Sequence, residues 1–325
     1  MTPTFPATTP AFGPGSPLFI VLNAGSGRDD AEQTRATISA VLDEAGREHE
    51  LLLIERGASV ADVAARAVQM ARGRGGAVVA AGGDGTISAV AQAVLTAGLP
   101  FGVLPQGTFN YFSRTHGIPA DTERATRALL RAQVEPVQVG TVNDRVFIVN
   151  ASVGLYPQLL EDREAYKQRY GRSRPVAVWS ALVTLFHAHR PLRLHVQCQG
   201  VARDVRTSTL FVANNALQLE QIGVAEAALL AQDQLVALML KPVGTLSMLR
   251  LMLRGAFGKL GEAEDVLRFG FDQLVVRPAA PRRSARVKVA TDGEIQWLRA
   301  PLSFGVAPQR LWLLAPAPED RVERQ

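Results

Sequence analysis

The chain has 325 residues, 47% hydrophobic and 20% charged, with a net charge of +5 and a pI of about 9.8. That balance excludes a disordered or fibrous polymer and suits two domains, each large enough to bury its own core. The basic excess favours anionic partners such as nucleotides, phosphates or an acidic membrane surface, while the single cysteine, Cys198, excludes an internal disulfide and reads as a small buried apolar side chain in a reducing compartment.

Residues 1–17 are rich in Pro, Thr and Ala. They have neither a basic n-region nor an apolar h-region, so they read as a flexible tail rather than a signal peptide. Leu18–Leu22 is a short run of β-formers, followed at once by Asn23-Ala24-Gly25-Ser26-Gly27. Helical spacing follows over 31–45, carried by Ala36, Ile38, Val41 and Leu42, then a buried strand at Leu51–Ile54 and a helix over Val60–Ala71. Ala77–Ala81 is a third strand and runs straight into Gly82-Gly83-Asp84-Gly85-Thr86. A helix over Ile87–Leu95 and a strand at Phe101–Leu104 follow, the strand ending in Pro105-Gln106-Gly107-Thr108. Buried strands alternating with helices predict a parallel sheet covered by helices, with ligands at the carboxyl ends of its strands. No charged residue occurs from Gly85 to Ser113, but Gly98, Pro100, Gly102, Pro105 and Gly107 interrupt the stretch, so no membrane span is expected.

The rhythm changes after Gln138. Val146–Asn150, Leu192–Gln199, Thr209–Ala213, Gln234–Leu240, Gln273–Arg277 and Arg286–Ala290 read as strands, several without intervening helices, which predicts an antiparallel sandwich. Helical stretches interrupt it at Val176–Ala188 and Thr245–Lys259. The expected organisation is a tail (1–17), an α/β domain (18–138), a β-sandwich (139–305) and a C-terminal segment (306–325) returning to the first domain.

Strand, Gly-Gly-Asp-Gly-Thr, helix is a phosphate-site layout. Glycine lets backbone N–H groups approach phosphates, the helix offers its N-terminal donors, and Asp84 adds a hard carboxylate suited to Mg²⁺. The plain alternative is a capped βα turn. Two further glycine loops, Asn23–Gly27 and Pro105–Asn110, lie on the same predicted edge, where the hydroxyls of Ser26 and Thr108 could meet phosphate or ribose. There is no Walker A pattern, no protein-kinase HRD or DFG, and no GxGxxG after the first strand. Thr291-Asp292-Gly293-Glu294 is a second centre. Its two carboxylates could share a site and take a proton from an attacking hydroxyl, yet Asp-Gly is also a strong hairpin signal, and spacing alone favours the hairpin.

GGDGT, the loop PQGTFNYFSR (Pro105–Arg114), NAGSG and the late DGE together resemble the diacylglycerol kinase catalytic-domain family, which includes bacterial lipid kinases and sphingosine kinases. The resemblance covers roughly Pro17 to Ala315. It implies an N-terminal doubly wound α/β domain with a C-terminal β-sandwich and the active site in the cleft. It implies ATP on Asn23, Ala24, Gly25, Ser26, Gly27, Gly82, Gly83, Asp84, Gly85, Thr86, Gly107, Thr108 and Asn110, Mg²⁺ near Asp84, and Asp292 and Glu294 as the source of the base. Relatives hold a structural Mg²⁺ on a loop like Leu230, Asp233 and Leu235. Here, though, Val137-Gln138-Val139-Gly140 stands for their I-D-x-G, and Asp233-Gln234 for their D-G, which weakens that site. Ile54 replaces a common Thr at the nucleotide, and Ala151–Tyr156 replaces a G-x-G-x-D-like segment beside the acceptor.

The expected function is ATP-dependent phosphorylation of a hydroxyl on diacylglycerol or a related lipid. The alternatives are an NAD kinase-like enzyme, which shares GGDGT, and a non-catalytic nucleotide- or lipid-binding relative. The expected partners are a lipid substrate and an anionic membrane surface, with no nucleic acid; a homodimer stays open. The expected location is cytoplasmic, peripheral at the inner membrane surface. Residues 163–206 hold nine Lys or Arg against two acidic residues, and Thr245–Lys259 is apolar enough to cap a tail-binding cavity.

Overall fold

The computed structural model describes residues 9–323 except 24–27, 56, 155–190, 245–246, 248–249, 252–253, 255–257 and 280–285. Contacts divide the chain into two units, Met1–Val139 with Ala307–Gln325, and Gly140–Val306.

In the first unit, β1 (Leu18–Asn23), β3 (Ala77–Gly82) and β4 (Pro100–Pro105) are buried along almost their whole length. Such strands need cover on both faces. With β2 (His49–Ile54), β5 (Gln133–Val137) and β18 (Leu311–Ala315) they form one six-stranded sheet in the order β2-β1-β3-β4-β18-β5. All pairings are parallel except β18 with β5. The connections are α1 (Arg28–Glu44), α2 (Val60–Arg74) and α3 (Asp84–Ala97), with α4 (Tyr111–Thr115) and α5 (Thr122–Leu130) after β4. Helix α2 packs against α3, and α1 against α5. Local chemistry sets the ends of α2: the Ser59 side chain accepts from the Asp62 amide, and Gly75 (φ 64°) stops the helix in the left-handed conformation.

The second unit is a sandwich of two six-stranded antiparallel sheets. One contains β6 (Gly140–Val142), β7 (Arg145–Phe147), β9 (Leu192–Cys198), β10 (Val201–Thr207), β14 (Gln273–Pro278) and β17 (Leu302–Val306), in the order β10-β9-β14-β17-β6-β7. The other contains β8 (Asn150–Gly154), β11 (Thr209–Ala213), β12 (Leu235–Leu240), β13 (Val266–Phe271), β15 (Arg286–Thr291) and β16 (Glu294–Arg299), in the order β13-β12-β11-β8-β15-β16. Alternation along each strand sends Phe147, Val196, Leu274 and Phe304 from one sheet, and Val153, Leu210, Val212 and Val289 from the other, into one shared core. On the opposite face of the second sheet, Ala213, Val236, Leu238 and Val266 build a further apolar cluster with Leu219 of α6 (Ala216–Gln221) and Ala227.

One expected strand is divided in the structure. Val146–Asn150 is not one strand: it parts into β7 and β8 at Ile148 and Val149, whose amides turn away from any ladder to a side-chain acceptor. Of Thr245–Lys259, the helical positions described are Ser247, Arg250, Leu251 and Arg254, and Leu251 is buried. Val176–Ala188 lies outside the described residues. Cys198 is half-buried against the sandwich core, and burial pushes its thiol above the usual range. Among the described residues no helix is long and apolar enough to cross a membrane.

Strand β18 sits between β4 and β5, with Leu311 and Leu313 fully buried. Burying one leucine side chain contributes about 1.5–3 kcal/mol, so a fragment spanning 1–139 is expected not to melt cooperatively by circular dichroism. Adding a 307–325 peptide is expected to restore cooperativity. A 1–139 fragment that melts cooperatively alone would remove this account of the fold.

Candidate functional site

Parallel pairing brings the carboxyl ends of β1, β2, β3 and β4 to one edge: Asn23 aligns with Ile54, and Gly82 with Pro105. At that edge Asn23 Nδ2 donates to Thr86 Oγ1 at 2.8 Å, which ties the first loop to GGDGT. The Gln106 amide donates to the Gly82 carbonyl at 2.9 Å, which ties GGDGT to the third loop. Gly83 and Gly107 then run backbone against backbone: a Cβ on Gly107 would lie 2.8 Å from Gly83 Cα and 2.7 Å from Asn110 Oδ1. Asn110, in the left-handed region at φ 48°, clamps the turn. Its Oδ1 accepts from the Gly107 amide at 3.0 Å, and its Nδ2 donates to the Gly107 carbonyl at 2.8 Å. Helix α3 starts at this meeting of loops with Gly83 as N-cap and no side-chain cap. Its first-turn amides therefore keep donor capacity for an anion, reinforced by the helix dipole.

Asp84, the first residue of α3, reaches across to α4, where its Oδ2 accepts from the Tyr111 amide at 3.2 Å and its Oδ1 from the Phe112 amide at 3.3 Å. Burial pushes its carboxyl above the usual range, while the amides of Phe112, Tyr111 and Asn110 and the charge of Arg114 pull the other way. Asp84 is thus a brace between two loops, and its remaining lone pairs are what it can offer a metal. Thr108 is exposed. Beside it Phe109, 53% exposed, stacks on Tyr111 at 6.0 Å, and the Arg114 guanidinium lies 5.6 Å from the Tyr111 ring centre. Sequence reasoning assigned no role to these three side chains, although two aromatics and an arginine closing a charge-free stretch were a visible signal. Ala24, Gly25, Ser26 and Gly27 lie outside the described residues. Ile54 is buried at the end of β2, so it presents hydrocarbon where relatives often present a hydroxyl.

The second centre belongs to the other unit. Asp292 (φ 47°) and Gly293 (φ 88°) are the two central residues of the β15–β16 hairpin, with Thr291 paired to Glu294. Both sit in the left-handed region, as a type I′ turn requires. The Asp292 carboxylate is buried, and three amides converge on it: Ile148 to Oδ2 at 2.8 Å, Val149 to Oδ1 at 2.8 Å and Asn150 to Oδ1 at 2.9 Å. Its own amide donates back to the Asn150 carbonyl at 2.9 Å. Glu294, by contrast, is exposed. Asn150 and Ser152 project from one face of β8; Asn150 Oδ1 and Ser152 Oγ are buried with no hydrogen-bond partner, although Asn150 Nδ2 donates to Gln218 at 3.2 Å. Sequence reasoning missed Asn150 and reached Ser152 only as part of the Ala151–Tyr156 segment; the signal was two polar residues in an otherwise apolar strand.

Leu230 lies in a 3₁₀ turn (Ala225–Gln232), Asp233 closes that turn at φ 59°, and Leu235 is the buried first residue of β12. Among the described residues no three His, Cys, Asp or Glu side chains converge. The loop's single carboxylate does not fit a dedicated Mg²⁺ cage. Asp84, also a lone carboxylate, fits the commoner arrangement in which Mg²⁺ rides on substrate phosphates and takes one or two protein oxygens.

The geometry changes what a test of Asp292 reads. On turn chemistry alone Asn would be tolerated there, but an Asn amide would aim N–H groups at the amides of Ile148 or Val149. Asp292→Asn is therefore expected to lose about 1–3 kcal/mol of stability whatever its role in chemistry. Glu294→Gln, on the surface, is expected to stay within about 0.5 kcal/mol of the parent. Denaturant titration of both variants checks this, and equal stabilities would show that the three amides do not depend on the carboxylate.

The family model for the diacylglycerol kinase catalytic domain matches residues 17–142. The protein named "Probable lipid kinase YegS-like" of Serratia proteamaculans is 34% identical over 148 residues, 43% of this chain and 46% of its own. A "Diacylglycerol kinase" of Staphylococcus saprophyticus is 29% identical over 144 residues, 43% of this chain and 46% of its own. The chain spans about half the length of the curated relatives it matches. A crystal structure of a diacylglycerol kinase from Bacillus anthracis superposes with a TM-score of 0.65 at 16% identity, over 94% of this chain and 97% of that one, which shows a shared fold. The α/β sheet, its glycine loops and the sequence comparison agree: residues 17–142 match the diacylglycerol kinase catalytic-domain family model.

Proposed function

We propose that this protein is an ATP-dependent lipid kinase, which transfers the γ-phosphoryl group of ATP to a hydroxyl of diacylglycerol or a related lipid. The observation that carries the reading is the apposition of Gly83 and Gly107 in front of the uncapped α3 terminus. Backbone donors without side chains in front of them bind phosphate oxygens, and Asn23, Thr86 and Asn110 hold the loops in that shape. The names of the Serratia and Staphylococcus relatives support a lipid as acceptor.

In the proposed reaction an acceptor hydroxyl attacks the γ-phosphorus in line. The new P–O bond forms as the bond to the β–γ bridging oxygen breaks, ADP leaves with that electron pair, and the hydroxyl proton passes to a carboxylate of the Asp292–Glu294 turn. Loop amides and α3 hold the charge that moves toward ADP. Mg²⁺ bound to the nucleotide would neutralise phosphate charge, with Asp84 as its protein ligand. Asp292 is held rigidly by three amide donors that already engage both of its oxygens. Glu294 is exposed and carries no such load, so proton acceptance falls to Glu294 while Asp292 orients the turn. Asn150 Oδ1 and Ser152 Oγ, still lacking partners, are suited to polar groups of the acceptor.

The test is γ-labelled ATP offered to a panel of dispersed lipids, with NAD included. Label is expected in a lipid, and Asp84→Ala is expected to abolish transfer by removing several kcal/mol of transition-state stabilisation. Glu294→Gln is expected to lower turnover by about 10²–10⁴ with ATP affinity little changed. Label in NAD would replace this reading with the dinucleotide one, and no transfer to any acceptor would leave a binding protein.

A further inference from the structure

The β15–β16 hairpin forms the outer edge of its sheet. Its inward side is accounted for: Val289 lies in the sandwich core, with Val287 and Leu298 packed against it. Alternation places Arg286, Lys288, Ile295, Trp297 and Arg299 together on the other side. Arg286 stands directly opposite Arg299, and Lys288 opposite Trp297. Like charges in direct cross-strand register destabilise a hairpin, and both arginines are exposed. Trp297 is 58% exposed, the most of any large hydrophobic side chain among the described residues, and Lys288 Nζ lies 5.2 Å from its ring centre. No acidic residue shares this face of the ladder.

We infer that this face of the β15–β16 hairpin is a docking surface for an anionic lipid bilayer. An indole ring exposed beside cations matches the chemistry of the headgroup layer: the ring settles at the polar–apolar boundary, and arginine and lysine meet lipid phosphates. The charge pattern that weakens the hairpin in water is relieved when phosphates lie between the arginines. Glu294 begins the same strand, and Trp297 stands three residues further, about 10 Å along it. The Asp292–Glu294 tip therefore lies at one end of the docked face, with Glu294 on the other side of the ladder from Trp297. The inference rests on the lipid-kinase reading for its purpose, though not for its measurement.

The experiment is co-sedimentation of the full chain with phosphatidylcholine vesicles, with and without phosphatidylglycerol, at low and raised ionic strength. It compares the parent with Trp297→Ala, Arg286→Gln/Arg299→Gln and Arg286→Glu/Arg299→Glu. The parent is expected to sediment with anionic vesicles at low salt and to be released by salt. Each neutralised arginine is expected to weaken binding roughly fivefold. The melting temperature of Arg286→Gln/Arg299→Gln is expected to hold or rise, because a like-charge pair is removed. Transfer to vesicle-borne lipid is expected to fall with binding, while transfer to short-chain dispersed lipid is unchanged. Parent-like sedimentation of the Arg→Glu pair would overturn the assignment, as would a parent that ignores anionic vesicles. A parent dimer that these variants dissociate, without vesicle binding, would overturn it in favour of a second copy. Vesicle binding as expected, with no phosphorylation of lipid in either format, would uphold the surface and remove the lipid-kinase reading alone.

Discussion

Buried backbone amides must find acceptors, and in both units an aspartate supplies them where the chain leaves regular structure. Asp84 takes the amides of Tyr111 and Phe112, so the start of α4 is fixed to the start of α3. Asp292 takes those of Ile148, Val149 and Asn150, so the bend between β7 and β8 is fixed to a hairpin tip. Each candidate chemical group is thus also a structural tie between segments distant in sequence. A rigid carboxylate is preorganised, and the lone pairs that its donors engage are not free for a substrate. The same bonds that aim these groups restrict what they can do.

This double use accounts for the different surroundings of two carboxylates that stand two residues apart. Asp292 lies inside the sheet's hydrogen-bond network, while Glu294 lies at its surface. A hairpin turn and a proton-accepting pair are not competing descriptions of Asp292-Gly293-Glu294. The left-handed turn presents one carboxylate inward and leaves the next at the entrance of the following strand.

The parallel sheet was legible because Leu18–Leu22, Ala77–Ala81 and Phe101–Leu104 are too uniformly apolar for one-sided strands, and the glycine loops stood out against them. The antiparallel character of the second unit was legible because several of its strands follow one another without a helix between them, as at Gln273–Arg277 and Arg286–Ala290. What could not be read depended on distant partners. The break at Ile148–Val149 has no local cause, since both residues favour strand, and its cause lies at Asp292. The bracing role of Asp84 needed the position of α4. The aromatic pair Phe109 and Tyr111 and the polar pair Asn150 and Ser152 stood out in the sequence, but the stacking of the first and the buried, unpaired oxygens of the second are facts of three-dimensional packing.

Strand β18 comes from the far end of the chain yet lies inside the first sheet, against β4 on one side and β5 on the other. During synthesis, therefore, β4 and β5 leave the ribosome as edges and stay so while the whole of residues 140–306 is made. Translation at about 5–20 residues per second makes that an interval of many seconds, during which unpaired strand edges invite association with other nascent chains. The sandwich, whose strands are contiguous in sequence, can fold first. The first sheet would then be completed last, so that a chain interrupted before its end leaves β4 as an open edge beside its glycine loop.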